Sequence, residues 1–205
     1  MEFQGASFQN LGSWLLRLAR LDLTVFDDVK DDVSATVPTL TVAVVASFLS
    51  GLGSWLWWTF QDFPKGGGDV FVKSFLVGSI LQVGVWFLWV YVAAMVLSRG
   101  LGVTADLNRL MRTMGLAFAP MAIAVLIFIS FLAVPFGVIA ITATVALTYV
   151  AIQAATESAQ PHQVMLANIV GFVIFAVILG ILANLSEVYN IGGLAPGLFF
   201  FNLSF

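Results

Sequence analysis

The sequence predicts an all-α integral membrane protein, a bundle of five transmembrane helices preceded by an amphipathic interfacial helix. Of the 205 residues 60% are hydrophobic and only 9% are charged, and the mean hydropathy is +1.03. Average soluble domains carry about a quarter charged residues, because a fold in water needs a polar coat. The apolar stretches are continuous rather than alternating, which favours helices over barrel strands. In lipid, a helix satisfies its own backbone hydrogen bonds.

Five stretches are long enough to cross a hydrocarbon core of ~30 Å, which takes about 20 helical residues. They are the ranges 36–60, 72–98, 113–133, 135–156 and 164–186, within a transmembrane domain of residues 35–189. The third and fourth share one run without charged residues, 113–156. Pro135 lies near its middle. Because proline removes a backbone donor and clashes inside a helix, we expect a tight hairpin turn at Ala133, Val134 and Pro135.

Residues 1–34 form a segment of different character. Polar residues recur at steps of three and four: Asn10, Ser13, Arg17, Arg20, Thr24, Asp27, Asp28 and Asp31. Apolar residues line the other side: Phe8, Leu11, Trp14, Leu15, Leu18, Leu21, Val25, Phe26 and Val29. The pattern predicts an amphipathic helix that either lies on the cytoplasmic membrane face or packs against the bundle. Periodicity alone does not choose between these two partners.

The basic residues predict the orientation. Three precede the first span and three lie between the second and third: Arg17, Arg20, Lys30, Arg99, Arg109 and Arg112. The opposite side receives only Lys65 and Lys73. The positive-inside rule therefore places the N-terminus and the 99–112 loop in the cytoplasm, and the C-terminus on the opposite side of the inner (plasma) membrane.

No pattern predicts a reaction, a cofactor or a metal centre, so we expect a non-enzymatic protein without catalytic residues. There is no cysteine, which excludes thiol nucleophiles and thiolate metal sites. Four carboxylates precede the first span: Asp27, Asp28, Asp31 and Asp32. Their spacing is not that of a calcium loop, so we expect a solvated helix end. His162, the single histidine, falls at the predicted water boundary rather than in a cavity suited to haem or pigment.

The partners expected from composition are membrane lipids and other membrane protein chains. The net charge of −3 argues against nucleic acid, because phosphate binding needs a basic face. Polar residues within the spans are neutral: Gln82, Gln153, Asn168, Asn184, Thr142, Thr144 and Thr148. We expect them to form hydrogen bonds between helices, and the lack of buried charge argues against transport. In a transporter or channel, Gln82 and Asn168 would be the best candidates for a polar lining.

Small residues four apart also predict close helix packing. The pairs are Gly115 and Ala119, Ala140 and Thr144, and Ala176 and Gly180. Two aromatic groups are the candidates for a contact surface: Trp55, Trp57, Trp58, Phe199, Phe200 and Phe201. The phenylalanines lie in an apolar far-side tail, residues 190–205, which we expect to dock in the membrane interface or against another chain. Tryptophan is equally expected as an interfacial belt.

Two motifs carry a family resemblance. Residues 20–28 read RLDLTVFDD and residues 110–120 read LMRTMGLAFAP, at the head of the third span. With Asp32 and the long first span, they resemble prokaryotic members of the YIP family, multi-span proteins named for eukaryotic relatives that bind Ypt/Rab small GTPases. The resemblance covers about residues 15–186. It implies five helices, a cytoplasmic N-terminus and membrane organisation rather than catalysis. Asp22-Leu23-Thr24-Val25 is the nearest text to the eukaryotic DLYGP-type motif and lacks its Tyr-Gly-Pro.

Three functions are compatible with these features. The first is a bacterial YIP-like protein that organises or shapes the membrane through its bundle and surface helix. The second is an accessory subunit of a respiratory or photosynthetic complex, with lipid, quinone or pigment bound through the partner complex. A transporter or channel is the third. We expect gentle-detergent purification to separate the first two, because only a subunit brings stoichiometric partners with it.

Overall fold

The computed structural model describes residues 3–60 and 67–185, and within these ranges the chain is helical without β-strands. Two helices, α1 (Phe3–Ala19) and α2 (Val25–Asp31), precede five helices that are long and apolar enough to cross a membrane. We call these span 1 (Val33–Phe60), span 2 (Phe71–Gly100), span 3 (Leu107–Phe128), span 4 (Ser130–Ala155) and span 5 (Pro161–Ala183). The predicted fold class is confirmed, and these helices indicate a membrane-embedded protein.

The amphipathic segment is two helices rather than the single helix that its periodicity predicts. Helix α1 ends at Ala19, and Leu21 takes a left-handed backbone conformation with φ of 61°. The N–H of Asp22 donates to the carbonyl of Arg17 at 2.9 Å, and the N–H of Leu21 donates to the carbonyl of Leu18 at 3.0 Å. These two bonds form a Schellman motif, which closes a helix end and turns the chain.

The turn between spans 3 and 4 comes earlier than predicted. The chain is extended at Ile129, with φ of −79° and ψ of 97°, and the α-helix Ala133–Ala155 is under way before Pro135 is reached. Proline is tolerated in the first helical turn because the N–H that it lacks would have no partner there. Pro135 therefore lies in the first turn of the α-helix of span 4 instead of marking the turn between the spans.

Several segments of the spans depart from the α-helix. Span 2 begins with the π-helix Phe71–Val77 and ends with the π-helix Val96–Gly100. Span 3 changes from the α-helix Leu107–Ala117 to a 3₁₀-helix at Ala119–Phe128. The change falls at Pro120, whose ring and missing N–H interrupt α-helical hydrogen bonding.

The described residues divide into two compact units. The first takes the described parts of Met1–Ala43, Trp89–Ala119 and Thr144–Phe172. Its core contains Phe26, Trp89, Leu97, Leu110, Met114, Leu116 and Phe118. The second takes the described parts of Val44–Leu88, Pro120–Ala143 and Val173–Phe205. Its core contains Trp86, Met121, Ile127 and Phe175.

Span 5 carries an exposed apolar stripe that recurs every four residues. Its members are Met165, Ile169, Val173, Val177 and Ile181, each between 44% and 56% exposed. A continuous apolar surface of this kind is costly in water and suits contact with lipid tails. The stripe is the surface expected of a membrane-embedded helix.

Candidate membrane-surface site

Part of the apolar side of the amphipathic segment is buried against the protein itself. Helix α1 packs on α2 and on the first turn of span 1, and α2 packs on the helix Leu107–Ala117 of span 3. The side chains buried in this way are Trp14, Leu18, Val25, Phe26 and Val29. The periodicity leaves two partners open, the membrane face and the helix bundle. These five side chains pack against the rest of the protein. We call α1 and α2 together the N-terminal pair.

Arg17 closes the turn between the two helices of the pair. Its Nε lies 2.8 Å from Oδ2 of Asp22, its Nη1 pairs with Asp28, and its Nη2 donates to Oγ1 of Thr24 at 2.9 Å. The Thr24 hydroxyl donates in turn to Oδ1 of Asp22 at 2.6 Å. Hydrogen bonds from Thr24, then from Arg17, lower the pKa of Asp22, and the bonds to Asp28 and Asp22 raise the pKa of Arg17. We call this group the Arg17 clasp.

Arg112 attaches the N-terminal pair to span 3. Its side chain is buried, and its Nε and Nη2 both donate to the main-chain carbonyl of Lys30, at 3.0 and 2.6 Å. Its Nη1 lies 3.4 Å from Oγ1 of Thr36, at the start of span 1. The last carbonyls of a helix lack intrahelical partners, and a cation is favoured there by the helix dipole. Arg112 thus supplies the hydrogen bonds that the end of α2 needs.

A set of ion pairs surrounds this attachment. Arg109 lies 2.7 Å from Asp31 and 3.8 Å from Glu157, which follows span 4. Lys30 lies 3.1 Å from Asp27 and 3.2 Å from the same Glu157. Desolvation opposes the charge of Lys30, but its bonds to Asp27 and Glu157 outweigh that effect and raise its pKa. Helix α2, span 3 and the loop after span 4 therefore share one ion-pair node, formed by these five residues.

Apolar side chains remain exposed at the same charged end of the chain. Leu16 is 51% exposed, Leu21 is 74% exposed and Val33 is 75% exposed. A left-handed conformation costs a non-glycine residue roughly 1–2 kcal/mol, so Leu21 combines backbone strain with an unburied apolar side chain. Strain of this kind concentrates at functional positions. Leu16 and Leu21, beside Arg17 and Arg20, form what we call the apolar edge.

The predicted aromatic candidates are only partly described. Trp55 contacts Phe71 edge to face at 5.2 Å between ring centroids, and Trp57 contacts Trp58 at 5.6 Å. Trp58 is 7% exposed, so its ring is part of the core. Phe199, Phe200, Phe201 and the whole tail 190–205 lie outside the described residues. The role of these aromatics as a contact surface stays a prediction.

The four predicted carboxylates each bind a different partner. Asp27 pairs with Lys30, Asp28 with Arg17, and Asp31 with Arg109. Asp32 accepts from the N–H and the hydroxyl of Ser34, at 2.9 and 2.6 Å, at the start of span 1. Within residues 3–60 and 67–185, no three histidine, cysteine or acidic side chains are placed to hold a metal ion. His162 is exposed in the first turn of span 5.

Some of the predicted contacts between helices are present. Asn168 donates from Nδ2 to the carbonyl of Val145 at 3.0 Å, which joins spans 5 and 4. A Cβ on Gly115 would lie 2.8 Å from the carbonyl oxygen of Thr39, so spans 3 and 1 approach closely there. A Cβ on Gly180, by contrast, would meet nothing within 4 Å, so its pair with Ala176 marks no close crossing. The side chain of Asn184 lies outside the described part.

Sequence reasoning misses the apolar edge. Helical periodicity assigns Leu21 to the apolar side of one helix, where the residue would be buried, and it gives Leu16 no role. The available signal is the position of Leu16, which falls outside both the polar and the apolar set of the helical pattern. No sequence signal gives the left-handed turn, because glycine rather than leucine is the usual residue there.

Compared with known proteins, the chain matches no family model, no curated protein and no solved structure. The resemblance to the YIP family therefore rests on the two quoted motifs and on the span arrangement. Charged residues fasten the N-terminal pair, and an apolar edge is presented beside arginines.

Proposed function

We propose that this chain is a non-enzymatic, YIP-like integral membrane protein that shapes or organises the membrane. It sits in the inner membrane with its N-terminus in the cytoplasm, and its partners are membrane lipids. The observation that carries the proposal is the apolar edge, Leu16 and Leu21, exposed beside Arg17 and Arg20. Apolar side chains flanked by arginines suit the boundary between headgroups and acyl chains, where amphipathic helices bind.

The attachment of the N-terminal pair to the spans determines how the apolar edge acts on the membrane. A free amphipathic helix adjusts its depth and tilt, so it follows the membrane surface. The N-terminal pair is held by the hydrogen bonds of Arg112 to the Lys30 carbonyl and by the ion pairs of Arg109 and Lys30. Side chains inserted into one leaflet from a fixed support displace headgroups there and favour curvature.

Reconstitution tests this proposal. The protein is incorporated into phosphatidylcholine/phosphatidylglycerol vesicles, and electron cryomicroscopy gives the distribution of vesicle diameters. We expect the wild-type protein to shift vesicles toward smaller and tubular forms. The variant Leu16→Ser with Leu21→Asn removes the apolar side chains while keeping a residue that tolerates the left-handed turn. It should leave vesicles like those without protein.

A matched control uses the same helix. Gln9→Ala changes an exposed residue of α1 outside the apolar edge and should behave as wild type. Wild-type vesicles that are indistinguishable from protein-free vesicles would overturn the proposal. The proposal would also be overturned if the wild type and the Leu16→Ser/Leu21→Asn variant gave the same distribution of vesicle diameters.

The accessory-subunit alternative makes a different prediction. It is motivated by Trp55, Trp57 and Trp58, which would contact lipids, quinones or pigments of a larger complex. Gentle-detergent purification from the native membrane should then recover other chains or cofactors in fixed ratio. Recovery of the chain by itself, as a monomer or a homo-oligomer, favours the membrane-shaping proposal.

A further inference from the structure

A seam of buried polar side chains runs between spans 1 and 2 in the second unit. Span 1 carries Ser50, next to Gly51, and span 2 carries Ser74, Ser79 and Gln82; all four side chains are at most 2% exposed. The hydroxyl oxygens of the three serines and Oε1 of Gln82 have no hydrogen-bond partner within the described part of the chain. Buried polar atoms without partners are uncommon in proteins and call for a physical explanation. We call these four residues the serine seam.

The two backbones approach each other closely at the seam. A Cβ on Gly51 would collide with Oγ of Ser79, and it would lie 3.1 Å from the carbonyl oxygen of Ser74 and 3.2 Å from that of Phe75. Three oxygens from span 2 therefore surround a single point beside span 1. Ser74 and Phe75 belong to the π-helix Phe71–Val77, and π-helical turns are rare and frequently occur at functional sites.

The chemistry of the seam selects its ligand. Each serine hydroxyl offers one donor and two acceptor lone pairs, whereas Oε1 of Gln82 is an acceptor only. A monovalent cation would satisfy the lone pairs and leave the hydroxyl protons without acceptors. Water both donates and accepts, and a buried water typically makes about three hydrogen bonds to polar groups that lack protein partners. The mixture of donors and acceptors therefore favours water.

We propose that the serine seam is a hydration site inside the membrane-spanning region, at which water molecules bridge the hydroxyls of spans 1 and 2. Irregular backbone at membrane depth is tolerated where it is buried in protein or meets water. Bound water would satisfy the four polar atoms of the seam, which are otherwise buried without a hydrogen-bond partner in the described part of the chain. The site is independent of the apolar edge, so either proposal can fail without the other.

Water-edited solid-state NMR of the unmodified protein in lipid tests the site directly. Magnetisation passes from water protons to side chains near bound water. We expect the signals of Ser50, Ser74 and Ser79 to build up at least severalfold faster than that of Ile80, which is 61% exposed on the lipid-facing side of span 2. Build-up for all three serines as slow as for Ile80 would overturn the proposal.

Cysteine variants provide a second test in a chain that has no native cysteine. The variants Ser79→Cys and Ile80→Cys are reconstituted into lipid and treated with Ag⁺. This thiol-reactive ion is small enough to enter a site that holds water. The thiolate is the reactive form of cysteine, and its formation requires a polar environment. Ser79→Cys should therefore react with Ag⁺ at least about tenfold faster than Ile80→Cys. Equal rates would contradict a hydrated seam.

Two glycine-to-alanine substitutions, one at the seam and one away from it, provide a matched control for the reaction with Ag⁺. Adding Gly51→Ala to Ser79→Cys places a methyl group at the point that the seam oxygens surround and should slow the reaction with Ag⁺. Adding Gly84→Ala, where nothing lies within 4 Å of the new methyl group, should leave the rate unchanged. If Gly51→Ala and Gly84→Ala have the same effect, the reaction does not occur in the seam.

Discussion

Two residues at the charged end of the molecule have opposite energetic roles. Arg112 stabilises the structure, because its buried guanidinium supplies hydrogen bonds to the end of α2 and the start of span 1. Leu21 destabilises it, because a branched side chain occupies a left-handed backbone position and is left exposed. Substitution at each site should therefore shift stability in a known direction.

Arg112→Met should lower the free energy of unfolding by about 1–3 kcal/mol, because the Lys30 carbonyl loses two charge-assisted donors. Thermal unfolding of the detergent-solubilised protein measures the effect. The control is Arg99→Met, at an exposed position near the end of span 2, which should change stability by less than about 0.5 kcal/mol. Equal effects of the two substitutions would argue against the attachment role of Arg112.

Leu21→Gly should raise the free energy of unfolding by about 1 kcal/mol, because glycine adopts the left-handed conformation without steric cost. The same assay detects it. Leu16→Gly, within α1, should lower stability by about 1 kcal/mol, since glycine is a poor helix former. A loss of stability in Leu21→Gly would show that the leucine makes contacts that outweigh its strain.

The distinction between these residues also marks what sequence can predict. Arg112 lies directly before the charge-free run 113–156, which indicates a residue near the start of a membrane span. The structure places it in the α-helix that begins span 3. Its acceptor, the carbonyl of Lys30, is 82 residues away in sequence, and no local pattern identifies it. The left-handed conformation of Leu21 cannot be predicted from the sequence for a related reason. Periodicity places Leu21 inside a helix, whereas the Schellman motif ends that helix before it.

At the scale of elements, glycines decide which helices approach closely. Gly115 of span 3 meets the backbone of Thr39 of span 1, whereas a Cβ on Gly180 of span 5 would meet nothing within 4 Å. Four-residue spacing predicts close crossings at both glycines. Spacing shows where a close approach is permitted, but the partner helix is set by tertiary packing. Of the two predicted pairs that contain a glycine, only the one at Gly115 therefore marks a close crossing among the described residues.

Gly115→Ala should destabilise the protein by about 1–3 kcal/mol, because the new methyl group would lie 2.8 Å from a carbonyl oxygen that belongs to the backbone. Thermal unfolding measures this loss. Gly180→Ala is the matched substitution and should be neutral or stabilising by up to about 1 kcal/mol, since alanine favours helix. The reverse order of stabilities would contradict the described packing of span 3.

The Arg17 clasp predicts a pH-dependent turn between α1 and α2. The pKa of Asp22 is lowered in the folded state, so its contribution is complete above the unfolded value of about 4 and is lost as the pH falls through the lower folded value. Acidification below about pH 4 should therefore loosen the turn. Hydrogen exchange of the Leu21 and Asp22 amides measures this, since both amides are bonded within the turn.

A variant distinguishes the clasp from general acid denaturation. Asp22→Asn cannot titrate, so the protection of these amides, relative to their intrinsic exchange rates, should no longer fall in acid, while the rest of the molecule responds as in the wild type. An unchanged acid response in Asp22→Asn would exclude Asp22 as its origin. Arg17 remains charged throughout, because its pKa is raised from an already high value.

At the scale of the whole molecule, composition predicts more than any motif. The apolar runs identify five helices of membrane-spanning length, and the α-helix Thr36–Phe60 coincides with the first predicted range. The π- and 3₁₀-helical segments are not predicted, because periodicity assumes a regular helix. The serine seam combines both cases: Gln82 stands out in the sequence as a polar residue within a span, whereas Ser74 lies in a π-helix that periodicity does not predict.

The central claim is a membrane protein whose span 1 separates the proposed cytoplasmic N-terminal pair from the loop before span 2, and whose chain is back on the cytoplasmic side after span 4. Labelling of single cysteines in intact cells with a membrane-impermeant maleimide tests it most directly, because the chain has no native cysteine. Gly68→Cys, before span 2, should be labelled from outside, whereas Ser13→Cys in α1 and Ser158→Cys after span 4 should be labelled only once the membrane is opened. Labelling of Ser13→Cys and Gly68→Cys from the same side would contradict the account.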